Sequence, residues 1–180
     1  MTRKALLLSL IFFAGLVFSK ISVDDPFSIV NRPSGGGLSS DYLKELFLVR
    51  TVENATPDIW PVVGFVASDF GWRRLKGRKE FHTGIDIAAP YGSRVVATAP
   101  GYVLFSGWVR GYGNTVVIYH GHGFVTLYAH MSMQAVKRGE FVDRNTVVGY
   151  VGSTGRTTGS HLHYEVIKYG IRQNPILFLP

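Results

Sequence analysis

Gly159-Ser160-His161-Leu162-His163-Tyr164-Glu165-Val166 is the stretch on which the reading of this chain turns. Two histidines two residues apart, followed by alternating apolar and polar positions, spell a β-strand. Alternate residues of a strand share a face. His161 and His163 therefore open into one space, with Cα atoms about 6.5 Å apart, while Leu162 and Tyr164 face the other way. Packing alone does not satisfy the polar nitrogens of two imidazoles on one face. They suit a metal ligand beside a proton-transfer group. The pattern leaves open which histidine does which.

Upstream of this strand the texture is the same. Short β-branched and aromatic runs recur at 94–99, 102–109, 115–120, 124–130 and 146–151. Turn residues separate them: Ala99-Pro100-Gly101, Gly111-Tyr112-Gly113-Asn114, Gly121-His122-Gly123 and Gly152-Ser153-Thr154-Gly155. Short strands at this spacing predict an all-β domain with minor helix, an antiparallel sandwich or barrel-like sheet. It spans residues 60–180. The whole chain has 180 residues, enough for one domain with a real core plus appendages.

The appendages lie at the N-terminus. Met1-Thr2-Arg3-Lys4 is basic and residues 5–18 are apolar except for Ser9. This is shorter than the about 20 apolar residues of a spanning helix and matches a secretory signal, or an uncleaved anchor, over residues 1–19. Val17 and Ser19 stand where small residues precede cleavage, although Val-Phe-Ser is a poor Ala-x-Ala. Residues 20–59 read as a linker and short arm. Pro26, Pro33 and Gly35-Gly36-Gly37 break the first part. Tyr42, Leu43, Leu46 and Phe47 then predict a helix over 39–49, capped by Ser39 or Ser40, and Pro57 stops any continuation.

Composition narrows the chemistry. Cysteine is absent, so a metal must be held by His, Asp or Glu. The formal charge is +7, and losing Arg3 and Lys4 with a signal lowers it by two. A basic chain favours anionic partners. An exported one meets an anionic cell wall or membrane surface, and nucleic acid is not expected as a partner. The basic run Arg73, Arg74, Lys76, Arg78 and Lys79 reads as solvated loop charges, with contact to an anionic polymer as the alternative.

Two further constellations join the opening strand. In His82-Thr83-Gly84-Ile85-Asp86, an extended chain would hold His82 and Asp86 about 13 Å apart. If both bind one ion the chain must bend, and Gly84 permits it. Phe124, Thr126, Tyr128 and His130 alternate along a strand and are expected on one face. His120 reads as a turn or core histidine and His122 as exposed. Ser160 beside His161 lacks the Gly-x-Ser-x-Gly setting of a serine nucleophile.

In order, His82-x-x-x-Asp86, Tyr128-Ala129-His130 and His161-Leu162-His163 resemble the lysostaphin-like zinc metallopeptidases of bacterial cell walls. The resemblance includes Asp69-Phe70-Gly71-Trp72-Arg73, Tyr112-Gly113-Asn114 and Gly152-Ser153-Thr154-Gly155, and runs from about Trp60 to the C-terminus. Met131 and the run Thr157-Thr158-Gly159-Ser160 depart from the usual pattern without touching a ligand. The resemblance implies one zinc held by His82, Asp86 and His163, with His130 and His161 as acid/base residues. It implies a peptidoglycan endopeptidase working outside the cytoplasm. The alternative is a wall-binding or hydrolase-activating protein of the same fold. In a third reading residues 20–59 cover the groove, with Asn31 or Asn54 reaching the zinc.

Overall fold

The computed structural model describes residues 55–75 and 77–180. The expected signal or anchor at 1–19, the helix at 39–49, Asn31 and Asn54 lie outside the described residues. Among the described residues thirteen strands follow one another: β1 (Phe65–Ser68), β2 (Gly71–Leu75), β3 (Arg78–His82), β4 (Ile85–Ala88), β5 (Arg94–Val96), β6 (Gly101–Val109) and β7 (Gly113–Gly121). Then come β8 (Phe124–Met131), β9 (Met133–Gln134), β10 (Phe141–Val142), β11 (Val147–Tyr150), β12 (His161–Lys168) and β13 (Ile171–Gln173), before a single turn of 3-10 helix at Pro175–Leu177. The described residues form an all-β, antiparallel domain, as the alternation predicts.

An eight-stranded sheet runs in the order β1-β4-β12-β8-β7-β6-β10, with β13 also paired to β12. β4 and β13 lie end to end along one edge of β12, and β8 takes the other. A three-stranded sheet, β5-β11-β9, and the hairpin β2-β3 complete the domain. Alternation sorts the side chains. Ile85 and Ile87 of β4 and Leu162, Tyr164 and Val166 of β12 enter the apolar cluster with Tyr128, Val95 and Val148. Asp86, His161, His163 and Glu165 occupy the opposite face. Burying Leu162 or Ile87 contributes about 1.5–3 kcal/mol each. The same pleat that builds the core thus lines the site.

The core also holds a polar chain. Thr98 Oγ1 lies 2.9 Å from the Tyr164 hydroxyl and 3.0 Å from that of Tyr128. Thr126 Oγ1 bridges Tyr128, at 3.0 Å, to His120 Nε2, at 2.7 Å. His120 Nδ1 donates to the Pro100 carbonyl. Every member has partners, which offsets the cost of burying it. His120 is therefore a core histidine, and His122 is exposed.

The short strands β1, β2, β3, β9, β10 and β13 escaped the sequence reading, because two to five residues show no period. The basic run is not a loop: it forms the β2-β3 hairpin, with Arg73 opposite Glu80 and Arg74 opposite Lys79. Residues 55–59, assigned to the arm, pack on the domain. Ala55 joins the apolar cluster and Asp58 pairs with Arg144 at 3.0 Å.

Candidate metal centre

His82 ends β3 and Asp86 is the second residue of β4, so the bend expected between them is present. Gly84 serves it differently from the expectation. Its φ is not in the left-handed region; instead the backbone passes so close to β12 that a Cβ would collide with the Tyr164 carbonyl. In the register of β4 and β12, Asp86 lies directly opposite His163. That register brings together two residues 77 positions apart.

Three atoms converge. His82 Nε2 lies 3.1 Å from Asp86 Oδ1 and 3.1 Å from His163 Nδ1, and Asp86 Oδ1 lies 2.8 Å from His163 Nδ1. A tetrahedral zinc with bonds of about 2.0–2.1 Å needs ligand atoms roughly 3.3 Å apart, close to this triangle. His82, Asp86 and His163 can hold a metal ion together.

The outer nitrogens fix the tautomers of four histidines. His82 Nδ1 donates to the Asp69 carbonyl at 2.7 Å, and His163 Nε2 to Glu165 Oε1 at 3.0 Å. His130 Nδ1 donates to the Thr154 carbonyl at 2.8 Å, and His161 Nδ1 to the Gly159 carbonyl at 2.9 Å. Carbonyls and carboxylates only accept, so each neutral ring keeps its other nitrogen as a lone pair. Two of the inward nitrogens meet the Asp86 carboxylate, and groups so close are reconciled by a proton or a metal ion between them. Outward anchoring of this kind is the usual support of metal-binding histidines.

The electrostatics agree. Burial would lower the His163 pKa, but hydrogen bonds to Asp86 and Glu165 raise it to about 9. Burial would raise Asp86, yet His163 and His82 hold its carboxyl far below the usual range. Two carboxylates facing one imidazole make a place that favours positive charge, as a proton or as a metal.

His130 reaches the site by an irregularity that alternation did not predict. Tyr128 packs in the core, on the far face from His163, and strict alternation would have sent His130 there too. Instead β8 carries one residue more than β7 between the pairs Asn114↔Met131 and Val116↔Tyr128. His130 takes φ 61° in this bulge. The extra residue turns the imidazole into the groove, with its ring centroid 4.8 Å from His161 and 5.7 Å from His163. Thr154 holds it there. Its hydroxyl donates to the Met131 carbonyl at 2.7 Å, and it packs so tightly on Gly113 (φ 69°) that a Cβ would collide. Burial first, and the charge of His163 next, lower the His130 pKa to about 4. The ring is neutral at pH 7. His161 Nε2 stands 3.7 Å from Asp86 Oδ1. All five residues singled out in the sequence come together.

The supporting residues were missed. Glu165 is fully buried and accepts from Thr83 (2.6 Å), Tyr112 (2.9 Å), His163 and Arg172 (3.0 Å). Burial would raise its pKa, but His163 and Arg172 pull it down to about 2. The two-residue step that joins His161 to His163 continues to Glu165, so this partner was legible. Arg73 was not. Its Nη1 lies 3.0 Å from Asp86 Oδ2, and its Nε and Nη2 grip Glu80.

A His₂Asp triangle flanked by two further histidines, on an antiparallel sheet, is an arrangement that can hold a metal ion with a coordination position left open. Residues 80–175 match the family described as Peptidase family M23, and the chain belongs to that family, the lysostaphin-like one its motifs resemble. It is 47% identical over 113 residues to "DD-carboxypeptidase/endopeptidase Mpg" of Neisseria meningitidis, covering 62% of this chain and 26% of that relative. It is 36% identical over 122 residues to "Murein hydrolase activator NlpD" of Salmonella dublin, covering 67% of this chain and 31% of the relative. The chain thus spans about a quarter to a third of the length of these relatives. A zinc-containing peptidase from Vibrio cholerae superimposes with a TM-score of 0.60 at 34% identity, over 64% of this chain and 37% of that one.

Proposed function

We propose that this chain is a zinc-dependent endopeptidase that hydrolyses peptide cross-links or stem peptides of bacterial peptidoglycan. The observation that carries the reading is the convergence of His82 Nε2, Asp86 Oδ1 and His163 Nδ1 with their lone pairs directed inward. These three residues hold the metal. When bound, zinc supplies a water acidified toward pKa about 7 and a Lewis acid for the scissile carbonyl. His130, neutral and anchored by Thr154, accepts a proton from the attacking water. That same proton is then delivered to the leaving amine, with His161, anchored by Gly159 and 4.8 Å from His130 between ring centroids, sharing the shuttle. Arg73 and Glu165 position Asp86 and His163. Residues 1–19 export or anchor the chain, so the reaction runs outside the cytoplasm.

The likeness to a relative named as a hydrolase activator supports a second reading, in which the same fold binds peptidoglycan without cutting it. One experiment separates the two. Defined peptidoglycan is digested with protein lacking residues 1–19, with and without chelator, and the products are analysed by mass spectrometry. Cleavage abolished by chelator and by His161→Ala supports the peptidase. No cleavage of any wall type by the zinc-loaded protein would favour the wall-binding or activator reading instead, and any bond cut would identify the substrate.

A further inference from the structure

The β2-β3 hairpin has two unlike faces. Arg73, Glu80 and His82 face the metal centre. The other face carries Trp72 opposite Phe81 and Arg74 opposite Lys79. Trp72 is 68% exposed and Phe81 43%, and both cations are exposed. The rings meet edge to face at 5.4 Å, and Lys79 Nζ sits 4.7 Å from the Trp72 ring. Like charges directly opposite across a strand pair are destabilising. Among the described residues no acidic side chain neutralises Arg74 or Lys79.

Trp72, Arg74 and Lys79, with the flank of Arg73, border a shallow, open recess of about 300 Å³. A bilayer would call for a convex apolar ridge. A recess that combines an aromatic ring with two cations instead fits a sugar ring beside a carboxylate, the chemistry of a glycan strand bearing acidic stem peptides. Its placement fits too, because Trp72 adjoins Arg73, which binds Asp86, and Phe81 adjoins His82. We infer that the outer face of the β2-β3 hairpin, through Trp72, Arg74 and Lys79, is a docking site for carboxylate-bearing peptidoglycan strands, separate from the groove where the peptide is cut. This rests on the proposed peptidoglycan substrate.

The test measures binding apart from cleavage. His161→Ala protein, which retains the metal triangle, is cosedimented with purified sacculi, with sacculi whose carboxylates are amidated, and with phosphatidylglycerol vesicles. Trp72→Ala and the double variant Arg74→Glu/Lys79→Glu are compared in the same background. All three side chains are exposed, and unchanged melting temperatures verify folding. Binding to native sacculi is expected to fall about tenfold in each variant, and amidated sacculi are expected to bind the parent as weakly. Variants that sediment like the parent would overturn the inference. So would loss of vesicle binding with sacculus binding intact, which would mark a membrane surface. With His161 restored, the hairpin variants should cut a soluble muropeptide at the parental rate and sacculi more slowly. Equal rates on both would overturn the docking site alone, whereas no cleavage by any form would overturn the peptidase reading and leave the binding result standing.

Discussion

Arg73 Nη1 binds Asp86 Oδ2 at 3.0 Å, on the opposite carboxylate oxygen from the one that meets His82 and His163. The guanidinium therefore holds Asp86 with a single oxygen directed inward. Its fork also reaches Glu80, which a lysine cannot reproduce while holding Asp86. Arg73→Ala is expected to weaken zinc binding about ten- to a hundredfold, and Arg73→Lys by less. Competition against a chelating fluorophore measures this directly; unchanged affinity in Arg73→Ala would remove its positioning role.

Glu165 fixes the tautomer of His163 and is itself fully buried against Arg172. Glu165→Ala should cost about 3–5 kcal/mol in chemical denaturation, because it strands buried donors. Glu165→Gln should fold better yet still bind zinc more weakly. A glutamine variant with native affinity would show that the carboxylate is dispensable.

His130 and His161 should separate from the three ligands in a zinc assay. His130→Ala and His161→Ala are expected to keep stoichiometric zinc while kcat falls about 10²–10⁴-fold. His82→Ala and His163→Ala should lose both. Zinc loss on replacing His161 would reverse its assignment with His163.

Acid should destabilise the domain through His120. Burial lowers its folded-state pKa to about 4, below the unfolded value of about 6.5. Its contribution is complete above pH 6.5 and is lost as pH falls toward 4, because the unfolded chain takes up the proton first. The shift corresponds to about 3 kcal/mol. Urea melts between pH 7 and 4, in chelator, should show a shallower decline for His120→Gln than for the parent. Parallel curves would exclude His120 as the source.

Much of this site could be read in the chain before any coordinates. The His161–His163 step, the alternation of β12 and the ordered motifs carried the sheet and the five candidate residues. What alternation could not carry was its own interruption. The bulge at Ala129-His130 depends on Tyr112, Thr154 and Gly113, contributed by other segments. The Arg73–Asp86 contact likewise depends on how a hairpin of five-residue strands sits against the sheet, for which charged residues supply no periodic signal. Gly84 was given the right place and the wrong reason: steric approach of β12, not a turn conformation.

Among the described residues, no backbone ladder joins the β2-β3 hairpin to the eight-stranded sheet. His82 leaves from the hairpin, whereas Asp86 and His163 stand on the sheet. An ion shared by the three would rivet two separately hydrogen-bonded ladders. Chelation should then accelerate amide exchange across residues 71–82 and spare 124–131, and equal protection with and without zinc would contradict this. If the proposed peptidase and docking readings hold, zinc supply would in that way govern how firmly the hairpin grips peptidoglycan as well as whether the chain can cut it.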